Sequence, residues 1–335
     1  MMSAKSLGVA LGVVGLLAQA AMAAPAAKRE LAPLAASRTA LVPFEVTPFP
    51  YRGIVPDKNV PFMDVADGQR VGHNSPRGGI YWEDQTYNDK HVLLHIPKGF
   101  DPRRPALMIV YFHGNVARLT RDVRNRQGVP RQVAESGLNA VLVAPQFAVD
   151  ALDSTPGRFW EPGVFAQFVA EAGERLTALY GDERVRGAFQ AAPVVIAAYS
   201  GGYYPTAFVL QHGGVDGRLR GVLLFDALFS DHEKYANWLA KRPRAFFFSS
   251  YGKAARDDNA VLRRMLTERG VRFETALPSS LALGSVSFLD VSDEIKHDDF
   301  MTEAWVRDPL RVVLRRIKGF PRTGPLPAGS IPKKN

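Results

Sequence analysis

The 335-residue chain has no cysteine. Disulfides, a lipid-modified cysteine, a thiolate nucleophile and thiolate metal sites are all excluded. Beyond Leu17 no apolar run is long enough to cross a bilayer. An internal repeat and a dividing linker are also missing. Acidic residues are in deficit, 33 against 42 Lys and Arg, giving a formal net charge of +9. Basic proteins attract polyanions. The densest cluster, Arg118, Arg121, Arg124, Arg126 and Arg131, lacks the interleaved aromatic residues on which a nucleic acid would stack. It therefore reads as a solvated face. No nucleic-acid partner is expected, and weak attraction to acidic envelope surfaces is the minor reading. At 46% hydrophobic and 22% charged residues, the chain suits one large globular domain.

The N-terminal segment carries one charge, Lys5, then an apolar run from Leu7 to Leu17, then Ala21-Met22-Ala23. That pattern predicts a cleavable secretory signal peptide over 1–23, cut after Ala23, and a periplasmic or secreted protein. Loss of Lys5 would take the formal charge from +9 to +8. An Ala- and Pro-rich stretch over 24–61 predicts a flexible or extended leader. The folded domain is expected over 62–320, with a mobile tail over 321–335.

Within the domain the first strands are expected at Gly79–Trp82 and His91–Pro97, and a central strand at Pro105–Phe112. His91 and His95 fall in a β-rich segment with no acidic residue between them, so they read as strand histidines and not as a metal pair. Strands over Asn139–Pro145, Val194–Tyr199, Gly221–Phe225, Arg244–Ser250 and Ser285–Val291 alternate with helices. The helices are expected at Arg121–Ser136, Val164–Tyr180, Asp231–Ala240, Asn259–Arg269 and Thr302–Lys318. Alternation of this kind predicts an α/β fold, with a mostly parallel central sheet flanked by helices on both faces.

The run Val194-Val195-Ile196-Ala197-Ala198-Tyr199-Ser200-Gly201-Gly202 organises the chain. A β-branched strand leads straight into Ser200, and Ala207, Phe208 and Leu210 then recur at helical spacing. A strand-to-helix turn this sharp needs small residues two before and two after the serine, here Ala198 and Gly202. The seryl oxygen would stand above the sheet edge, and the Gly201 amide would face the same way at a helix N-terminus, where an oxyanion is stabilised. The strand Gly221–Phe225 delivers Asp226 to that rim.

With the His113-Gly114 strand end and His297 after the last strand, this run resembles the nucleophile elbow of the α/β-hydrolase superfamily, and the chain resembles its exported serine esterases over about Tyr81 to Lys318. The resemblance implies a Ser-acid-His order along the chain: Ser200, then Asp226 (alternative acid Asp257 or Asp258), then His297. Asp226 is placed first because it ends an apolar strand that gives no other reason for a carboxylate, whereas Asp257 and Asp258 fit a helix cap. An oxyanion hole from Gly201 with Gly114 or Asn115 is implied, without metal or cofactor. In the loop beyond Pro145, Phe159 and Trp160 are candidate substrate-binding residues, as is Tyr203, although core anchoring would also explain them. The expected activity is cleavage of a carboxylic ester in a small-molecule or polymer acyl substrate. An amide or peptide hydrolase acting on cell-envelope material and a non-catalytic binding protein remain as alternatives.

Overall fold

Six-residue apolar runs bounded by turn residues make strands buried on both faces, and these build the central sheet. The structure, a computed structural model, describes residues 30–323. The chain divides into 1–31, of which only Glu30 and Leu31 are described, and 32–335, which holds every element named below. The expected signal peptide thus lies outside the described residues, as does the tail from 324 onward.

The sheet strands are β1 (Arg38–Pro43), β2 (His91–Ile96), β3 (Leu107–Phe112), β4 (Ala140–Pro145), β5 (Val194–Tyr199), β6 (Leu219–Phe225), β7 (Phe246–Tyr251) and β8 (Val286–Asp290). They lie in the order β1-β2-β4-β3-β5-β6-β7-β8. β2 runs antiparallel to both of its neighbours, β1 and β4, and β3 to β8 are mutually parallel. In register, Ala198 faces both Phe112 and Leu224, so β3, β5 and β6 end at one rim. That rim collects the groups of interest.

Helices α1 (Val129–Glu135), α2 (Val164–Tyr180), α3 (Tyr203–His212), α4 (His232–Lys241), α5 (Arg256–Glu268) and α6 (Pro309–Arg316) cover the sheet. On one face, α1 and α6 pack Val129, Val133, Leu310, Val313 and Leu314 against Leu107, Ile109, Leu142 and Val195. On the other, α2 meets β1 and β2, α3 meets β3 and β5, and α5 meets β7. A mostly parallel sheet with helices on both faces matches the expectation.

Several boundaries differ. The helix expected at Arg121–Ser136 is a wide-wound π-helical stretch, Leu119–Arg126, followed by α1. Gly128 at φ +58° separates them, and Pro130 stands in the first turn of α1, where a proline is tolerated. The last helix starts at Pro309, behind Asp308 at φ +57°, rather than at Thr302. Gly79–Trp82 does not join the main sheet; it pairs with Arg70–Ser75 in a small antiparallel sheet. The first main strand lies instead in the expected leader, at the sheet edge, where Pro43 is tolerated. The start of the expected mobile tail is tied down, with the Asn139 amide donating to the Pro321 carbonyl and the Thr323 amide to that of Gly137.

Phe159, offered as a pocket residue, is fully buried. Its ring centroid lies 5.9 Å from that of Phe112, 6.0 Å from Phe147, 5.3 Å from Phe165 and 5.4 Å from Phe168. An aromatic residue in a loop can face the ligand or the body, and this one anchors the loop. Phe159→Ala is expected to lower the unfolding free energy by about 3–5 kcal/mol in chemical denaturation; a loss below about 1 kcal/mol would show that the ring is not core.

Candidate active site

Ser200 directly follows β5 and has φ +52°, in the left-handed region where a non-glycine residue is held at a cost of about 1–3 kcal/mol. The turn around it has little free space. A Cβ on Gly202 would lie 2.5 Å from the Phe112 carbonyl oxygen, and one on Gly114 would lie 2.7 Å from the Ser200 Cβ. Both positions therefore require glycine. Ser200–Gly202 form a single tight turn that leads directly into α3.

His297 opens a short turn beyond β8. Its Nε2 lies 2.7 Å from Ser200 Oγ, and its Nδ1 lies 2.6 Å from Asp226 Oδ2. A carboxylate only accepts, so in the neutral ring Nδ1–H donates to Asp226 and Nε2 accepts from the serine hydroxyl. Asp226 follows β6, is 2% exposed, and accepts the Gly252 amide at 3.0 Å on its other oxygen. Among the described residues His297 is its one ion-pair partner. Asp257 and Asp258 are not brought to His297. They occupy the first turn of α5, where acids favour a helix start, and Asp258 lies 2.9 Å from His232 Nε2.

Other contacts fix this geometry. The Tyr199 ring stacks on His297, with centroids 5.1 Å apart and planes at 26°, and its hydroxyl donates to the His297 carbonyl at 3.2 Å. Burial, with Asp298 nearby, raises the Tyr199 phenol pKa, so it stays a neutral donor. His113 is buried and neutral, its pKa lowered by burial to about 4. Its Nδ1–H donates to the Gly114 carbonyl at 2.7 Å, while its Nε2 accepts from the Phe147 amide at 2.9 Å and faces Gln146 Nε2 at 3.0 Å. The loop carrying Gly114 and Asn115 is thereby pinned to the loop beyond β4.

The Asn115 carboxamide satisfies its neighbours in one orientation. Its nitrogen donates to the Asp153 carbonyl at 3.0 Å and to Ser154 Oγ at 2.7 Å, and its oxygen accepts from Arg77 at 2.7 Å. Its side chain is thus occupied, and what Asn115 can offer a ligand is its main-chain N–H. Gly201 sits beside it, since a Cβ there would lie 2.3 Å from Ser154 Oγ and 2.6 Å from the Asn115 carboxamide.

An open cleft of about 670 Å³ runs over Ser200, Gly201, Asn115 and His297. A second cavity of about 470 Å³ adjoins it and holds Trp160 and Tyr204. Tyr203 lines both, as do Arg77, Leu152 and Ser154. Of the three aromatic residues expected to contact substrate, Tyr203 reaches the cleft, Trp160 only the side cavity, and Phe159 neither.

A single antiparallel strand in second place, β3 and β4 exchanged in the sheet, and a serine on a strained turn after β5 define one architecture. The fold is that of the α/β-hydrolases. No protein-family model matches the chain, and no curated protein does. Among solved structures, this chain is similar to the feruloyl esterase module from Clostridium thermocellum complexed with sinapinate, at 12% identity over 82% of this chain and 97% of that one, with a TM-score of 0.43. It is also similar to an S-formylglutathione hydrolase from Agrobacterium tumefaciens, at 14% identity over 75% and 97%, TM-score 0.40, and to one from Staphylococcus aureus, at 13% over 76% and 89%, TM-score 0.36.

Tyr199, Ser154, Arg77, Arg126 and Asp298 also line the cleft, and sequence reasoning singled out none of them as site residues. For Tyr199 a signal existed, its place next to the serine. Arg118, Arg121, Arg126 and Arg131, read as a solvated face, pair with Asp150, Asp122 and Asp308.

His113 gives a test by pH. Its folded pKa of about 4 lies below the ordinary 6.5, so between those values the unfolded chain binds the extra proton. Its contribution to stability is complete above about pH 6.5 and is lost as pH falls toward about 4, by up to about 3 kcal/mol. Denaturation curves should show that His113→Gln loses less stability than the wild type over this window. Equal slopes would contradict a buried neutral imidazole.

Proposed function

We propose that this α/β-hydrolase is an exported serine hydrolase that cleaves carboxylic esters through an acyl-enzyme. The observation that carries this reading is the unbroken chain from Ser200 Oγ through the His297 ring to Asp226, at 2.7 and 2.6 Å. A serine hydroxyl is a weak nucleophile until a base takes its proton. In the proposed cycle Ser200 Oγ attacks the ester carbonyl while its proton passes to His297 Nε2. Asp226 stabilises the resulting imidazolium and holds the ring in the tautomer with its lone pair on Nε2. The oxyanion is held by the main-chain amides of Gly201 and of Gly114 or Asn115, donors worth about 10²–10³-fold each in kcat. His297 then returns the proton to the leaving alcohol. Water, activated by the same nitrogen, releases the acid.

Tyr203 would contact the substrate in the cleft, and Trp160 any part that reaches the side cavity. Export rests on the sequence over 1–23 alone, and among the described residues no helix is long and apolar enough to cross a membrane.

Two measurements test the reading. With p-nitrophenyl acetate, Ser200→Ala should abolish the pre-steady-state burst and turnover, and Asp226→Asn should lower kcat on the order of 10⁴-fold by reversing the tautomer. Turnover that survives Ser200→Ala would sink the assignment. N-terminal sequencing of the exported protein should begin at Ala24; a start at Met1 in cytosolic protein would contradict export.

A further inference from the structure

Among the described residues, one cation at the site has no carboxylate partner. Arg77 sits in the turn between Arg70–Ser75 and Gly79–Trp82, and that small sheet is docked on the loop beyond β4 by two hydrogen bonds. Ser75 Oγ donates to the Leu152 carbonyl at 3.1 Å, and the Leu152 amide donates to the Tyr81 hydroxyl at 3.0 Å. The Arg77 guanidinium contacts Ser154 Oγ at 3.3 Å and the Asn115 carboxamide oxygen at 2.7 Å, and among the described residues no carboxylate pairs with it. By contrast, Arg118, Arg121 and Arg131 are each matched to an aspartate.

A second guanidinium, Arg126, also reaches the cleft. Among the described residues its Nε alone is engaged, at 3.1 Å from the buried Asp122, which Arg121 shares. Among the described residues the one exposed carboxylate lining the cleft is Asp298, whose Oδ1 lies 3.4 Å from the Tyr199 hydroxyl. The cleft lining therefore carries two guanidiniums against one exposed carboxylate, and of these only Arg77 also lines the side cavity. Because Arg77 stands where the catalytic cleft meets the side cavity, a substrate spanning both would pass the guanidinium close to the scissile bond. An arginine fork with spare N–H groups matches a planar carboxylate.

We propose that Arg77 makes the cleft selective for esters that carry a carboxylate on their acyl or alcohol part, seated at the wall shared by the two cavities. This rests on the ester-hydrolase reading given above. The competing use of Arg77 is to polarise Ser154 and Asn115 next to the oxyanion site, which would act on every ester alike.

Matched pairs separate the two. Values of kcat/KM are compared for mono-p-nitrophenyl adipate against its methyl ester, and for para-acetoxybenzoate against methyl para-acetoxybenzoate, placing the charge on the acyl and the alcohol side in turn. In at least one pair, Arg77→Gln should reduce the charged-to-neutral ratio about tenfold relative to wild type, a size expected for a charge-assisted contact in a partly solvated cleft. Arg77→Lys should restore part of it. In the wild type, raising the ionic strength should narrow the same preference, which serves if a variant folds poorly. A ratio unchanged by Arg77→Gln and by salt in both pairs, or an equal fall for both members of each pair, overturns the proposal. A wild type that cleaves none of the four esters overturns the ester-hydrolase reading itself, whereas cleavage without charge preference overturns only the carboxylate selectivity.

Discussion

The hydrogen bond between Asp226 and His297 is the interaction on which the site depends. A carboxylate that is 2% exposed has lost its water and is stable only if its oxygens are satisfied. One oxygen takes the Gly252 amide, and the other takes the imidazole N–H. That second bond fixes which ring nitrogen carries the proton and therefore which one faces Ser200. With the Gly252 amide on its first oxygen, the second oxygen of the aspartate is left for the imidazole, and the ring is held in one orientation. Tyr199 stacked on the ring limits the remaining freedom.

The strained serine on the opposite side depends on packing to hold it. Ser200 keeps its left-handed φ because β5 is clamped in register between β3 and β6 and because glycine at 114 and 202 lets neighbouring backbone approach. His113 then ties the Gly114 loop to the neighbouring loop through both ring nitrogens. The site is therefore built from strand ends and pinned loops, which suits chemistry that needs positions held to a fraction of an ångström.

Much of this was legible in the sequence because strand ends announce themselves. Val194 to Tyr199 reads as a buried strand, and Ala198 and Gly202 mark the turn at Ser200. Asp226 stands out as a charge ending an apolar strand. His297 could be placed only by topology, as the histidine after the last strand, and the structure brings it to Ser200 and Asp226. What stayed hidden depended on contacts between distant segments. Pro76-Arg77-Gly78-Gly79 looks like any surface turn, and only the docking of the small sheet carries Arg77 to the cleft. Phe159 and Trp160 are adjacent in sequence yet end in the core and in a side cavity, a choice that local pattern does not make. The break at Gly128 was written in the sequence, but the π-helical winding before it has no compositional mark.

The most direct measurement of the central claim is peptide mapping by mass spectrometry after treatment with a fluorophosphonate at neutral pH. The account predicts one stoichiometric phosphonyl adduct, on Ser200, formed in the wild type and strongly slowed when His297 is replaced by alanine. An adduct on another residue, or none at all on a folded protein, would contradict it.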